Sequence, residues 1–145
     1  VGAGADWDSC GFIREAVGLI ESGEPSVQDD VIVRRPTWIA GVAEAIAFLL
    51  ERAFEGTIHM SAREGATRYE WLRRVAEWIG KPADHLRPSD ELVPRRAPRP
   101  VDSTLSSDAL ASMGFDRFPA FREAVESALR RFRPDLLSRR SGCDE

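Results

Sequence analysis

The sequence predicts an α/β chain that is mainly helical with two or three short strands, the outer part of a larger α/β protein rather than a doubly wound domain of its own. Three observations predict it. Apolar residues recur with the 3.6-residue period over several 11- to 18-residue stretches. Between them lie only short β-branched runs, too few to build an independent parallel sheet. The chain has 145 residues with 43% hydrophobic and 30% charged content, enough for one folded domain with a real core.

The elements follow in order. Ile13, Ala16, Val17 and Ile20 give residues 9–22 one apolar face, and Gly23 with Pro25 ends that helix. Val31-Ile32-Val33 reads as a short buried strand after a turn at Asp29-Asp30. Pro36-Thr37 opens a longer helix with Thr37 as N-cap and an apolar face of Ile39, Val42, Ala43, Ile46, Leu50 and Ala53. From Gly56 a strand is predicted in which Ile58 and Met60 face one way, Thr57 and His59 the other. Thr67-Arg68-Tyr69-Glu70 has the form of a capping box, and the helix it opens buries Leu72, Val75, Ala76 and Ile79 before Gly80 and Pro82 stop it. Residues 82–104 hold five prolines and read as irregular chain. Ser106-Ser107-Asp108 caps a small helix closing at Gly114, and Phe121, Ala124, Val125, Ala128, Leu129 and Phe132 mark the last helix, about 120–132. The domain is thus expected over 1–132, with 133–145 a polar tail.

Charge and composition exclude several functions. A net charge of −4 argues against a general nucleic-acid or membrane-surface role. The longest apolar run, Ala45 to Leu50, is far too short to span a bilayer. Cys10 and Cys143 imply neither a disulfide framework nor a metal cage, which fits a reducing cytoplasm. His59 and His85 have no acidic or thiol neighbour at metal spacing, so no metal site is expected.

The residues that point to a site are arginines beside prolines. Arg99 sits between Pro98 and Pro100, so its backbone is extended and its guanidinium is held in a fixed direction. Such a fork suits a bidentate grip on phosphate or carboxylate; a solvated surface connector is the other reading of the same residues. Arg35 precedes Pro36-Thr37 in a similar setting.

Taken in order, Arg35-Pro36-Thr37-Trp38-Ile39, Gly56-Thr57-Ile58-His59-Met60-Ser61 and Ala97-Pro98-Arg99-Pro100-Val101-Asp102-Ser103-Thr104-Leu105 resemble the C-terminal part of extended short-chain dehydrogenases/reductases. The nearest likeness is to dTDP-4-dehydrorhamnose reductases and related sugar-nucleotide-binding proteins of dTDP-rhamnose biosynthesis, from about Gly11 to Phe132. Gly41 departs from that pattern, which has an aspartate there. The resemblance implies the C-terminal portion of a Rossmann-like fold, with Arg99, Arg35 and Thr37 facing a nucleotide-sugar substrate. A nucleotide-sugar epimerase or dehydratase, or a stand-alone binding or regulatory module, are the alternatives. The superfamily's Tyr-x-x-x-Lys pair is not found: Tyr69 is followed four residues later by Arg73, and Lys81 is twelve residues away. Gly2-Ala3-Gly4 has no preceding strand and no third glycine. NADP is therefore expected of the complete protein and not of this chain alone. The complete protein would supply an N-terminal Rossmann portion, and apolar faces left without it imply self-association.

Overall fold

The computed structural model describes residues 6–91, 97 and 100–137. The described residues form five helices, α1 (Phe12–Ser22), α2 (Ile39–Leu50), α3 (Arg68–Trp78), α4 (Asp108–Ser112) and α5 (Phe121–Phe132), and a two-stranded parallel sheet of β1 (Ser26–Asp29) and β2 (Leu86–Ser89) against which α3 packs. The chain is α/β and mainly helical, as its periodicity predicts.

The helices begin and end where their residues dictate. A single 3-10 turn, Trp7–Cys10, replaces the first residues of the expected 9–22 helix, and α1 then buries Ile13, Ala16, Val17 and Ile20. Gly23 closes it at φ 66°, a left-handed conformation that costs glycine nothing. On α3 the capping box is complete: the Glu70 amide donates to Thr67 Oγ1 at 3.2 Å and the Thr67 amide to Glu70 Oε2 at 2.9 Å. Thr67 Oγ1 also donates to Asp30, tying this helix start to the end of β1.

Two cores result. The larger joins α1, α3 and α5 through Ile13, Val17, Trp71, Leu72, Val125 and Leu129, all no more than 1% exposed. Arg68 sews its edge, donating from Nε to Gln28 at 2.7 Å and pairing with Glu15 at 2.7 Å. The smaller core joins α2 to α4 and the segment after it through Ala45, Phe48, Leu49, Leu110 and Phe115.

Four expectations are corrected. The strand lies at 26–29, not at Val31-Ile32-Val33. Asp29 Oδ1 accepts the amides of Val31 at 3.0 Å and Ile32 at 3.1 Å, so this Asx turn takes both donors away from any ladder. Only single bridges follow, Val33 with Asp102 and Arg34 with Ala66. The Gly56–Ser61 stretch keeps the predicted alternation, Ile58 and Met60 packing on the smaller core, yet has no ladder partner among the described residues. A strand without a neighbour is only extended chain. Within the proline-rich 82–104 stretch, Leu86–Ser89 pairs in register with β1 despite Pro88. The flanking bonds are donated by β1's side, Ser26 to the His85 carbonyl and Asp30 to that of Ser89, so the ladder's ends ask no N–H of β2.

The fourth correction concerns α2. Trp38, not Thr37, is its N-cap, and the buried positions are Gly41, Ala45, Phe48 and Leu49. The face predicted to be buried is turned outward: Ile39 is 60%, Ile46 47% and Leu50 76% exposed. Both faces of this helix are apolar, so periodicity alone does not choose between them. Gly41 has a local reason: a Cβ there would lie 3.0 Å from Pro119 Cδ and 3.4 Å from Phe118 Cδ1.

After Phe132 the chain does not leave the domain at once. Arg133 pairs with Glu21 at 3.0 Å, a 3-10 turn spans Pro134–Leu136, and Leu136 is buried in the larger core.

Candidate functional site

The single bridge between Val33 and Asp102 brings the segment before α2 against the segment before α4, with the Val33 amide donating to the Val101 carbonyl at 2.8 Å. The chain after Met60 is stitched between them by two hydroxyls. Thr37 Oγ1 accepts from the Ala62 amide at 3.0 Å and donates to the Arg35 carbonyl at 3.2 Å. Ser107 Oγ accepts from the Ser61 amide at 2.8 Å and donates to the Ser61 carbonyl at 3.0 Å. Thr37 thus serves as a tertiary staple where the sequence suggested a helix cap. The N-cap of α4 is Ser107, whose hydroxyl goes to Ser61 rather than to the helix, while Ser106 Oγ accepts from the Asp108 amide at 3.0 Å in a local turn just before it.

Three segments so held enclose a cleft of about 520 Å³ lined by Arg35, Ser61–Arg63, Thr104–Asp108, Ala111, Phe115, Asp116 and Phe118. Its order comes from Arg35. Arg35 Nε donates to Thr104 Oγ1 at 2.7 Å, and Nη1 donates to the Arg63 carbonyl. Thr104 in turn gives its hydroxyl and its amide to Asp102 Oδ1. Those two bonds, with the Arg35 charge behind them, hold the Asp102 carboxyl below the usual carboxylate range. Gly65 makes room for this arrangement: a Cβ there would stand 3.1 Å from both Arg35 Cζ and Val33 Cγ1. Arg35 still has N–H groups not used in these bonds, because a guanidinium carries five.

Of the candidate residues, Arg35 lines the cleft, whereas Thr37 does not line it and bonds the Arg35 carbonyl and the Ala62 amide behind it. Arg99 lies outside the described residues, as does Gly2-Ala3-Gly4. The sequence reading missed Thr104, Arg63 and Asp116. Asp102-Ser103-Thr104 carried a usable signal, an acidic residue two before a threonine, which favours the local turn seen here. The Arg63–Asp116 ion pair, 2.7 Å, spans 53 residues and has no local signature.

The other groups considered are engaged elsewhere. The Tyr69 hydroxyl accepts from Arg73 at 3.2 Å, and Lys81 pairs with Glu21 at 3.7 Å. His85 Nε2 bonds the Leu19 carbonyl at 3.0 Å. Among the described residues no group of three or more His, Cys, Asp or Glu could hold a metal ion, and no helix is long and apolar enough to cross a membrane.

The sequence and fold are similar to those of known proteins. The RmlD substrate binding domain family matches residues 11–133. The chain is 35% identical over 109 residues to dTDP-4-dehydrorhamnose reductase of Mycobacterium tuberculosis H37Rv, covering 74% of this chain and 36% of that protein. It is 30% identical over 101 residues to methionine adenosyltransferase 2 subunit beta of Mus musculus, covering 66% and 30%. The chain therefore spans about a third of the length of these curated relatives. In structure it is similar to dTDP-4-dehydrorhamnose reductase of Bacillus anthracis in complex with NADP, with TM-score 0.71, 21% identity and coverage of 83% and 43%. UDP-glucose 4-epimerase of Thermus thermophilus in complex with NAD gives TM-score 0.65, 28% identity and coverage of 85% and 40%. The family match spans most of the chain, the fold is that of the C-terminal part of Rossmann-like extended short-chain dehydrogenases, and the chain belongs to the RmlD substrate-binding-domain family.

Proposed function

We propose that this chain is the sugar-nucleotide-binding portion of an NADP-dependent reductase that acts on a dTDP-4-keto sugar. The cleft around Arg35 is the observation that carries this reading. It offers a fixed guanidinium, the hydroxyls of Ser61, Thr104 and Ser106, and the aromatic side of Phe115 and Phe118. A nucleoside diphosphate asks for those groups: cationic donors for the diphosphate, hydroxyls for the sugar and an apolar surface for the base. Arg99, three residues before Asp102 in sequence, is assigned to the same diphosphate, and Thr37 supports the site by fixing Ala62 beside it.

NADP would supply the hydride in such a reductase. The described residues do not fit the dinucleotide: none of their helices follows a strand through a glycine-rich turn that could cradle a pyrophosphate. The cofactor would therefore be held by a portion of the protein beyond these residues. The exposed stripe of α2 and the unpaired Gly56–Ser61 stretch are where that portion would pack, an extended segment beside a helix being half of a parallel α/β layer. This chain's own residues bind and orient the sugar nucleotide and close one side of the cleft.

The test is a titration of Arg99→Ala and Arg35→Ala chains, supplied with the remaining portion in trans, with a dTDP-sugar. Each substitution should weaken binding by roughly 1.5–3 kcal/mol, the range for charged hydrogen bonds. Wild-type affinity in both folded variants would remove the reading. A second reading, a non-catalytic subunit, is favoured by the relative named as a subunit of methionine adenosyltransferase. Nucleotide-sugar binding without keto-sugar reduction in the complete protein would select it.

A further inference from the structure

The cleft is lined by four charged side chains: Arg35 and Arg63, Asp108 and Asp116. Two positive and two negative groups leave it neutral, a poor match to a ligand carrying two or more negative charges. The arginines differ in kind. Arg35 spends Nε and Nη1 on Thr104 and on the Arg63 carbonyl, so it is part of the wall. Those bonds also pin the Arg63 backbone at the cleft while leaving its side chain 69% exposed. The Arg63 guanidinium meets Asp116, itself 61% exposed, at 2.7 Å. An ion pair this open to water is weakly held and readily exchanged.

Resting on the diphosphate reading above, we propose that Arg63 and Asp116 form an exchangeable gate: Arg63 releases the Asp116 carboxylate and takes the diphosphate of the incoming nucleotide. Asp116 then acts as an internal competitor. A single carboxylate yields to a group of higher charge with several acceptor oxygens in reach of the same fork, whereas a singly charged anion gains little over it. The gate thereby selects diphosphates over carboxylates and over the uncharged nucleoside, and its cost appears as a lower affinity than the arginines alone would give. Phe115, whose ring lies 5.6 Å from that of Phe118 and which is buried in the smaller core, fixes the start of the Asp116 segment so that the carboxylate is presented at the cleft rather than lost to solvent.

The experiment is an NMR-monitored titration of the full 145-residue chain with dTDP and with thymidine, a readout that follows millimolar as well as micromolar binding. Arg63→Gln should weaken dTDP binding about tenfold or more, and Asp116→Asn should strengthen it about two- to fivefold. Neither should change thymidine binding. A purely structural ion pair would instead give two variants that bind dTDP like the wild type, and Asp116→Asn binding more weakly than the wild type would also overturn the gate. If the wild-type chain bound dTDP while Arg63→Gln bound it equally, the gate alone would fall. If the wild type bound no dTDP even with the remaining portion supplied in trans, the diphosphate reading would fall with it.

Discussion

The two cores of this chain differ in how completely the chain itself covers them. The core of α1, α3 and α5 buries the apolar stripes of all three helices, down to the 3-10 turn that seats Leu136. The core of α2 and α4 buries one face of α2 and leaves Ile39, Ile46 and Leu50 on the other in water. The cleft belongs to the second, open region, where two loops and an unpaired extended segment meet. Stability is concentrated in one half of the chain and binding groups in the other, an arrangement suited to a module whose site is completed by packing on something else.

Substitutions should separate the halves sharply. Leu129→Ala or Leu72→Ala, at fully buried positions of the larger core, should cost about 2–5 kcal/mol in denaturant unfolding. The double change Ile46→Ser and Leu50→Ser should cost far less, about 0.5 kcal/mol per site, because Leu50 is 76% and Ile46 47% exposed. It should also abolish any concentration-dependent association seen by light scattering. A large stability loss at Ile46 and Leu50 would mean that the open face is covered by the chain's own residues, and the contrast would vanish.

Next in size is the capping box. Thr67→Ala removes an acceptor for the Glu70 amide and a donor to Asp30, and should cost about 1 kcal/mol or somewhat more. A smaller effect comes from acid. The hydrogen bond from Arg133 holds the Glu21 carboxyl below its ordinary value of 4.5. A lowered carboxylate pKa contributes stability above the unfolded value, and that contribution is lost as pH falls through the folded one. Glu21→Gln should therefore flatten the stability profile below about pH 4.5, by no more than about 1 kcal/mol since the pair is partly in water. An unchanged acid limb would show that the C-terminal turn is held by Leu136 alone.

The same division decides what the sequence made legible. In the half built on the larger core, period and caps sufficed: the stripe of Ile13, Ala16, Val17 and Ile20, the Thr67–Glu70 box and the last helix were all readable because each is a local pattern with one apolar face. In the open half local pattern failed. The α2 helix is apolar all round, and which face is buried depends on Phe115 and Leu110, more than 50 residues away. The Val31-Ile32-Val33 run has strand composition, but Asp29 captures its amides. Arg35, singled out from its proline setting, lines the cleft, whereas Thr37 was read as a helix cap and instead bonds Ala62. Thr104 carried a local turn signal with Asp102, but Arg63 and Asp116 carried none, since their pairing arises only when distant segments are joined.

Between these extremes lies Gly65, which tests the site without removing any charged group. Gly65→Ala places a methyl 3.1 Å from Arg35 Cζ, so the guanidinium must shift by a few tenths of an ångström. Binding of dTDP should weaken severalfold, less than for Arg35→Ala, with unfolding nearly unchanged. Equal binding would show that the placing of Arg35 is not critical.

The most direct test of the account is a residue-by-residue map of where a nucleoside diphosphate acts. Titration of the isotope-labelled chain with dTDP should move the amide signals of Arg35, Ser61 to Arg63 and Asp102 to Asp108, and leave those of the buried faces of α1, α3 and α5 in place. Shifts centred on α1, α3 and α5, with the Arg35 cleft silent, would contradict it.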